Sequence, residues 1–242
     1  MKRILVAFFV LVAACSDDSG SRFDYELHQN SGVPEYGLIV RDGPLVVALA
    51  GDIDQTLVGP DIGPISQRLA REGFSVVSLD LPSHHVGDDP FALPGWRRRI
   101  ENGETDIFTR FCDSVSAVLD DLHATRASVV GISRGGYVAA ICAARDGRFQ
   151  NIALLAPVTD LTLLEEFRGA VVDPNIYGLG QYIPILAQRS VLVRIGRNDQ
   201  RVGTDAAVAF ARTIGADLQL LNVEGHQVPE DGSTARWLKA HL

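Results

Sequence analysis

From about residue 44 onward, short continuous apolar runs alternate with longer segments whose apolar residues recur every three or four positions. Runs of the first kind suit strands buried on both faces, and the second kind suits helices packed against them. Residues 45–50 form such a run, ended by Gly51, and residues 74–81 form another, broken by Pro82. Between them, 65–72 has helical spacing with Gly73 as its stop signal. The spacing of Phe108, Phe111, Val115, Val118, Leu119 and Leu122 predicts a helix over 107–123. A strand at 127–131, an alanine-rich helix at 137–145 and a strand at 151–155 follow. The alternation resumes with a strand at 191–195, a helix at 204–214, a strand at 218–223 and a last helix at 234–241. Before it begins, 23–28 and 36–41 read as an antiparallel edge pair.

This order predicts an α/β fold: one domain over 23–242, with a mostly parallel central sheet and helices on both faces in three layers. Two stretches fall outside the pattern. Residues 83–105 are rich in turn formers and include Trp96 and the triplet Arg97-Arg98-Arg99. Trp96 suits a pocket wall and the core equally. Residues 157–189 predict a short helix near 161–167 and otherwise a lid or pocket wall, too small for a cap domain.

The N-terminus follows another logic. Lys2-Arg3 precedes an unbroken apolar run over 4–14, the layout of a signal peptide and too short for a spanning helix. The run closes on Val12-Ala13-Ala14-Cys15, which resembles a bacterial lipobox. That resemblance implies cleavage after Ala14 and lipidation of Cys15; ordinary cleavage leaving Cys15 as a free thiol is the alternative. Residues 15–22 then form the lipidated cysteine and a polar tether. The expected location is the bacterial cell envelope, with the chain lipid-anchored, and Ser16 after the cysteine favours the periplasmic side of the outer membrane.

Composition narrows the function classes. Hydrophobic residues make up 46% and charged ones 21% of the 242, which suits a folded domain rather than a disordered chain. The formal charge of −8 offers no basic footprint for nucleic acid. The remaining cysteines, Cys112 and Cys142, fall in predicted helices without metal-ligand spacing and read first as two buried small apolar side chains, with a disulfide in an oxidising compartment as the alternative that geometry decides. No His/Cys/Asp cluster has metal spacing, so neither metal nor cofactor is expected.

Gly131-Ile132-Ser133-Arg134-Gly135 lies directly after one predicted strand and before a helix. A G-x-S-x-G is weak by itself; on a strand-to-helix turn it presents an exposed serine close to helix N–H groups. A serine hydroxyl needs a positioned base. His226, in Glu224-Gly225-His226-Gln227-Val228-Pro229, follows the last predicted strand. His28, His123 and His241 read as surface residues, while His84 and His85 could line a pocket. The acid that would orient the imidazole is expected after the preceding strand, where Gly196-Arg197-Asn198-Asp199 places Asp199; Asp205 and Asp160 are the alternatives.

Together these three motifs resemble the α/β-hydrolase superfamily, and the compact layout is similar to its dienelactone-hydrolase and prolyl-oligopeptidase-like branch. The resemblance implies a triad of Ser133, Asp199 and His226, with the backbone N–H of Arg134 as one oxyanion donor. Members of the family often carry His-Gly after the first core strand, where the second donor is found; here the place reads Ala50-Gly51-Asp52. The expected donor is therefore Gly51 or Asp52, with the Asp52 carboxylate turned away or paired with a cation such as Arg134. The implied activity is hydrolysis of a small-molecule carboxylic ester through an acyl-enzyme. A peptidase or amidase of the same fold, and a non-catalytic envelope lipoprotein, are the alternatives.

Overall fold

A computed structural model of the protein describes residues 22–84 and 93–242. The leader, Cys15 with its tether, and His85 lie outside the described residues.

Among the described residues, eight strands form one sheet. In chain order they are β1 (Glu26–His28), β2 (Tyr36–Ile39), β3 (Leu45–Leu49), β4 (Ser75–Ser78), β5 (Ala127–Ile132), β6 (Phe149–Leu155), β7 (Ser190–Asn198) and β8 (Asp217–Glu224). Their spatial order is β1-β2-β4-β3-β5-β6-β7-β8. The β1–β2 and β2–β4 pairs are antiparallel, as the early polar-apolar segments suggest, and every pair from β4 to β8 is parallel. The interior strands Val46–Leu49, Val76–Ser78 and Ala127–Ile132 are buried along their length, which is why they read as continuous apolar runs rather than alternating ones.

The helices are α1 (Ile53–Leu57), α2 (Gly63–Arg71), α3 (Leu93–Glu101), α4 (Ile107–Asp121), α5 (Arg134–Arg145), α6 (Pro174–Tyr177), α7 (Ile183–Leu186), α8 (Thr204–Thr213) and α9 (Ser233–Ala240). The step from β3 to β4 moves toward one edge of the sheet, and the step from β5 to β6 toward the other. Right-handed crossovers therefore place α2 and α5 on opposite faces. Consistent with this, α9 is bridged to α2 by Lys239–Glu72 at 2.5 Å, whereas α4 packs on α5.

Two expectations are corrected. Cys112 and Cys142 are not separate thiols: a disulfide joins α4 to α5, whose packing brings the two Cα atoms to 4.9 Å. That separation is a tertiary distance, which the helical pattern of each segment does not contain. The stretch 83–105 holds a helix, α3, whose Leu93, Trp96 and Ile100 face the core. Pro94 and Gly95 resemble turn residues in the sequence, but proline is well tolerated in a first helical turn. Trp96 is a core residue. It is fully buried, donates from Nε1 to the Pro82 carbonyl at 2.6 Å, and packs edge-on against Phe108.

Between β6 and β7 the chain makes 3₁₀ turns at Leu161–Leu163, Glu165–Phe167 and Leu179–Tyr182, together with α6 and α7. This small cap is tied down at several points. The Tyr137 hydroxyl of α5 donates to the Tyr177 carbonyl, and the Tyr177 hydroxyl donates to the Glu104 carbonyl at 2.5 Å. Arg97 donates to the carbonyls of Glu166 and Arg168 at 3.0 and 3.2 Å.

Candidate active site

The sheet reverses its winding between β3 and β5, the place where open α/β sheets form a crevice at the carboxyl ends of their strands. Leu49 of β3 and Gly131 of β5 are register partners there, so the residues just beyond them converge. Ser133 leaves β5 and precedes α5 at φ 54°, ψ −118°, a conformation that costs a non-glycine residue on the order of 1–3 kcal/mol. The surroundings over-determine it. Its N–H donates to the Leu155 carbonyl at 2.9 Å, and its own carbonyl accepts from Gly136 and Val158, both at 3.0 Å.

Glycines permit that turn. A methyl at Gly135 would lie 2.0 Å from the Leu49 carbonyl oxygen, and one at Gly131 would lie 2.5 Å from the Gly135 carbonyl oxygen. The motif's glycines are thus required by the close approach of α5 to β3 and β5 rather than by flexibility.

The three residues that the sequence singles out meet. His226 Nε2 lies 2.8 Å from Ser133 Oγ, and His226 Nδ1 lies 2.7 Å from Asp199 Oδ2. Asp199 is 2% exposed and His226 8%. The other Asp199 oxygen accepts the N–H groups of Arg201 at 2.9 Å and Val202 at 3.3 Å, while the Asp199 N–H donates to Thr204 Oγ1 at 2.9 Å. With both oxygens engaged, the carboxylate is fixed in rotation and can hold one imidazole tautomer. The competing acids are used elsewhere: Asp205 sits exposed in the first turn of α8, and Asp160 Oδ1 accepts from the N–H and hydroxyl of Thr162.

Opposite the serine, the Ala50-Gly51-Asp52 loop is pinned. The Gly51 N–H donates to Thr56 Oγ1 at 3.2 Å, and the Gly51 carbonyl accepts from Leu81 at 3.0 Å. Asp52 caps α1: its carboxylate accepts the Gln55 N–H at 2.7 Å and is thereby turned into its own helix. The two candidate N–H groups differ in their bonding. Gly51 has its N–H occupied, whereas the Asp52 N–H has no acceptor among the described residues. Arg134 opens α5, where the helix ladder makes no use of the first N–H. Its guanidinium Nη2 comes within 3.4 Å of where a Gly51 Cβ would stand.

Other described histidines have their own surroundings. His28 stacks on Tyr36, His241 stacks on Trp237, and His84 is buried with its N–H on the Leu81 carbonyl. Among the described residues no group of three or more His, Cys, Asp or Glu side chains is arranged to hold a metal ion. One participant escaped the sequence reading: Thr204, whose hydroxyl accepts from Asp199 and donates to the Gly196 carbonyl at 2.7 Å. It closes the acid turn, and its signal was only a threonine at the start of a predicted helix.

A hydrogen-bonded serine, imidazole and carboxylate in this order can move a proton from the hydroxyl as it attacks and return it to a leaving group. Comparisons with known proteins bear on the family and the fold. Residues 56–239 match the sequence profile of the alpha/beta hydrolase family. A comparison with curated protein sequences finds no match. An esterase of Pyrococcus furiosus superposes with a TM-score of 0.63 at 15% identity, covering 90% of this chain and 91% of its own. The esterase Est1E of Butyrivibrio proteoclasticus gives 0.59 at 14% identity, covering 90% and 98%. The acylaminoacyl peptidase of Pyrococcus horikoshii gives 0.62 at 15% identity over 90% of this chain; the chain spans only 40% of that peptidase's length. At such identities the superpositions speak for the fold, while the profile match covers well over half of the sequence. By that match, and by the fold and turn geometry that accompany it, the chain belongs to the α/β-hydrolase family.

Proposed function

We propose that the protein is a serine hydrolase of carboxylic esters, with Ser133 as nucleophile, His226 as general base and acid, and Asp199 as the group that orients the imidazole. The observation that carries this reading is the continuous Ser133–His226–Asp199 relay at 2.8 and 2.7 Å. In the first half-reaction Ser133 Oγ attacks the ester carbonyl carbon and its proton passes to His226 Nε2. The tetrahedral oxyanion is held by the N–H groups of Arg134 and Asp52. Collapse expels the alcohol, which takes the proton from His226 and leaves an acyl-serine. Water, deprotonated by the same nitrogen, then releases the acid and restores the serine.

Esterases among the superposed structures support the choice of esters as the first substrate class. The chain is coextensive with the two esterases but spans well under half of the peptidase. We further propose that the protein is exported and lipid-anchored through Cys15. The Cys112–Cys142 disulfide supports export, since such bonds persist in oxidising compartments.

The purified protein is expected to hydrolyse short-chain p-nitrophenyl esters, and Ser133→Ala to lower kcat by about 10⁴-fold or more. Faster cleavage of peptide amides would move the substrate class to the peptidases. Absence of turnover on either, with Ser133 inert to acylating reagents, would favour a binding role. Metabolic labelling with a fatty-acid probe, lost in Cys15→Ala, tests the anchor.

A further inference from the structure

Arg194 stands in the middle of β7, five positions before Asp199, and its side chain is 1% exposed. A charge in that setting is costly, and an apolar residue of similar size would serve stability as well or better. Its contacts suggest what it does instead. Nη2 donates to Asp231 Oδ2 at 2.8 Å, and Nη1 donates to Thr234 Oγ1 at 3.2 Å and to the Pro229 carbonyl at 3.4 Å. These partners belong to the 225–232 loop that carries His226 and to the first turn of α9. In addition, the Arg194 main-chain carbonyl accepts the Ala156 N–H at 2.7 Å. Ala156 follows directly on Leu155, whose carbonyl holds the Ser133 N–H.

The histidine loop needs such a hold. It begins and ends on left-handed glycines, Gly225 and Gly232, and its internal bonds are local: Gln227 N–H to the Gly225 carbonyl, Gly232 N–H to Glu230, Ser233 N–H to Asp231. Among the described residues, the buried Val228 side chain and Arg194 join the His226 ring in holding it to the body of the protein. Arg236, which bonds the Asp231 carbonyl, comes from α9 and moves with the loop's far end.

We infer that Arg194 is a positioning residue: it fastens the His226 loop to the strand that delivers Asp199, so that the imidazole meets Ser133 and Asp199 at once. This inference rests on the proposed Ser133–His226–Asp199 triad. Because the relay tolerates little displacement, a loosened loop lowers the rate of proton transfer while leaving the substrate surface in place.

The test uses Arg194→Met and Asp231→Asn in the full-length protein, read by ester kinetics and by the ¹H NMR resonance of the His226 Nδ1–H, identified by its loss in His226→Ala. Arg194→Met is expected to lower kcat by about 10- to 100-fold with KM changed by less than about twofold. Its Nδ1–H resonance broadens through solvent exchange, while thermal unfolding stays cooperative. Asp231→Asn, at a partly exposed position, is expected to show the same pattern more weakly. It carries the test should Arg194→Met fail to fold. Wild-type kcat and a wild-type resonance in the folded variants would overturn the proposal, as would a lower kcat with the resonance unchanged. Full activity in Ser133→Ala or His226→Ala would instead overturn the triad itself, and the two failures are thereby separable.

Discussion

The turn that carries Ser133 and the loop that carries His226 approach to 2.8 Å at their tips, yet they are held by opposite means. The serine turn is short, joins a fully buried strand to a long helix, and is locked by main-chain bonds and by contacts that admit only glycine. Its helix is stapled to α4 by the Cys112–Cys142 bond. The histidine loop spans 225–232 between an edge strand and the last helix. It is fastened through side chains, its own Val228, which is fully buried, and Arg194, which reaches to it from β7. The serine is therefore placed by local geometry and the histidine by tertiary contacts. Damage to the first is expected to appear as loss of fold, and damage to the second as loss of rate.

The strongest way to break that contrast is Gly135→Ala. The added methyl would press on the Leu49 carbonyl at 2.0 Å, and backbone cannot yield as a side-chain tip can. The expected cost is about 4 kcal/mol or more, seen as insoluble protein or a large fall in urea midpoint. A stable, active Gly135→Ala protein would show that the turn is not locked as described.

Next comes the staple. Opening the disulfide, by reductant or by Cys112→Ala with Cys142→Ala, releases a crosslink across a 30-residue separation. The expected loss of stability is about 3–4 kcal/mol, measured by chemical unfolding with and without reductant. The kcat of the protein still folded should stay unchanged. A selective fall in kcat would mean that α4 positions the serine directly.

A smaller effect on stability but a larger one on rate is expected from Val228→Ala. The side chain is fully buried, so truncation should cost about 1–3 kcal/mol. Here kcat should fall severalfold at temperatures where the protein remains folded. Equal falls in stability for Val228→Ala and for a comparable core valine such as Val138→Ala, with no difference in kcat, would erase the distinction between the two regions.

The smallest effect concerns pH at the far end of α5. Burial opposes ionisation of Asp146, but the Arg148 guanidinium and N–H and the Ser116 hydroxyl outweigh it and hold the carboxyl below its usual range. A carboxylate lowered in the folded state adds stability above its unfolded pKa, and that contribution disappears as pH falls through the folded value. Asp146→Asn should therefore have a lower Tm than wild type near pH 7. The difference should shrink as pH falls through the folded-state value of Asp146. A Tm gap independent of pH would contradict the assignment.

Legibility in the sequence follows the same division. Strands buried on both faces announce themselves as unbroken apolar runs, so most of the sheet could be read from 45–50, 127–131 and 191–195. Ser133 could be read because its geometry is local, and Asp199 and His226 because each follows its strand directly. What was hidden is what depends on distance through space. The pairing of Cys112 with Cys142 needs the helix packing. Helix α3 hides behind a Pro-Gly pair. The choice between Gly51 and Asp52 turns on the Thr56 hydroxyl, five residues downstream. Arg194 was visible only as one charge interrupting an apolar strand, a signal with no stated partner until the 225–232 loop folds over it.

The central claim, that Ser133 is a nucleophile activated by His226, is tested most directly by fluorophosphonate labelling of the folded protein, followed by mass spectrometry of its peptides. One adduct is expected, on Ser133, absent in Ser133→Ala and formed at least about 10²-fold more slowly in His226→Ala. Folded protein that takes no label, or label on Ser133 at an unchanged rate without His226, would contradict it.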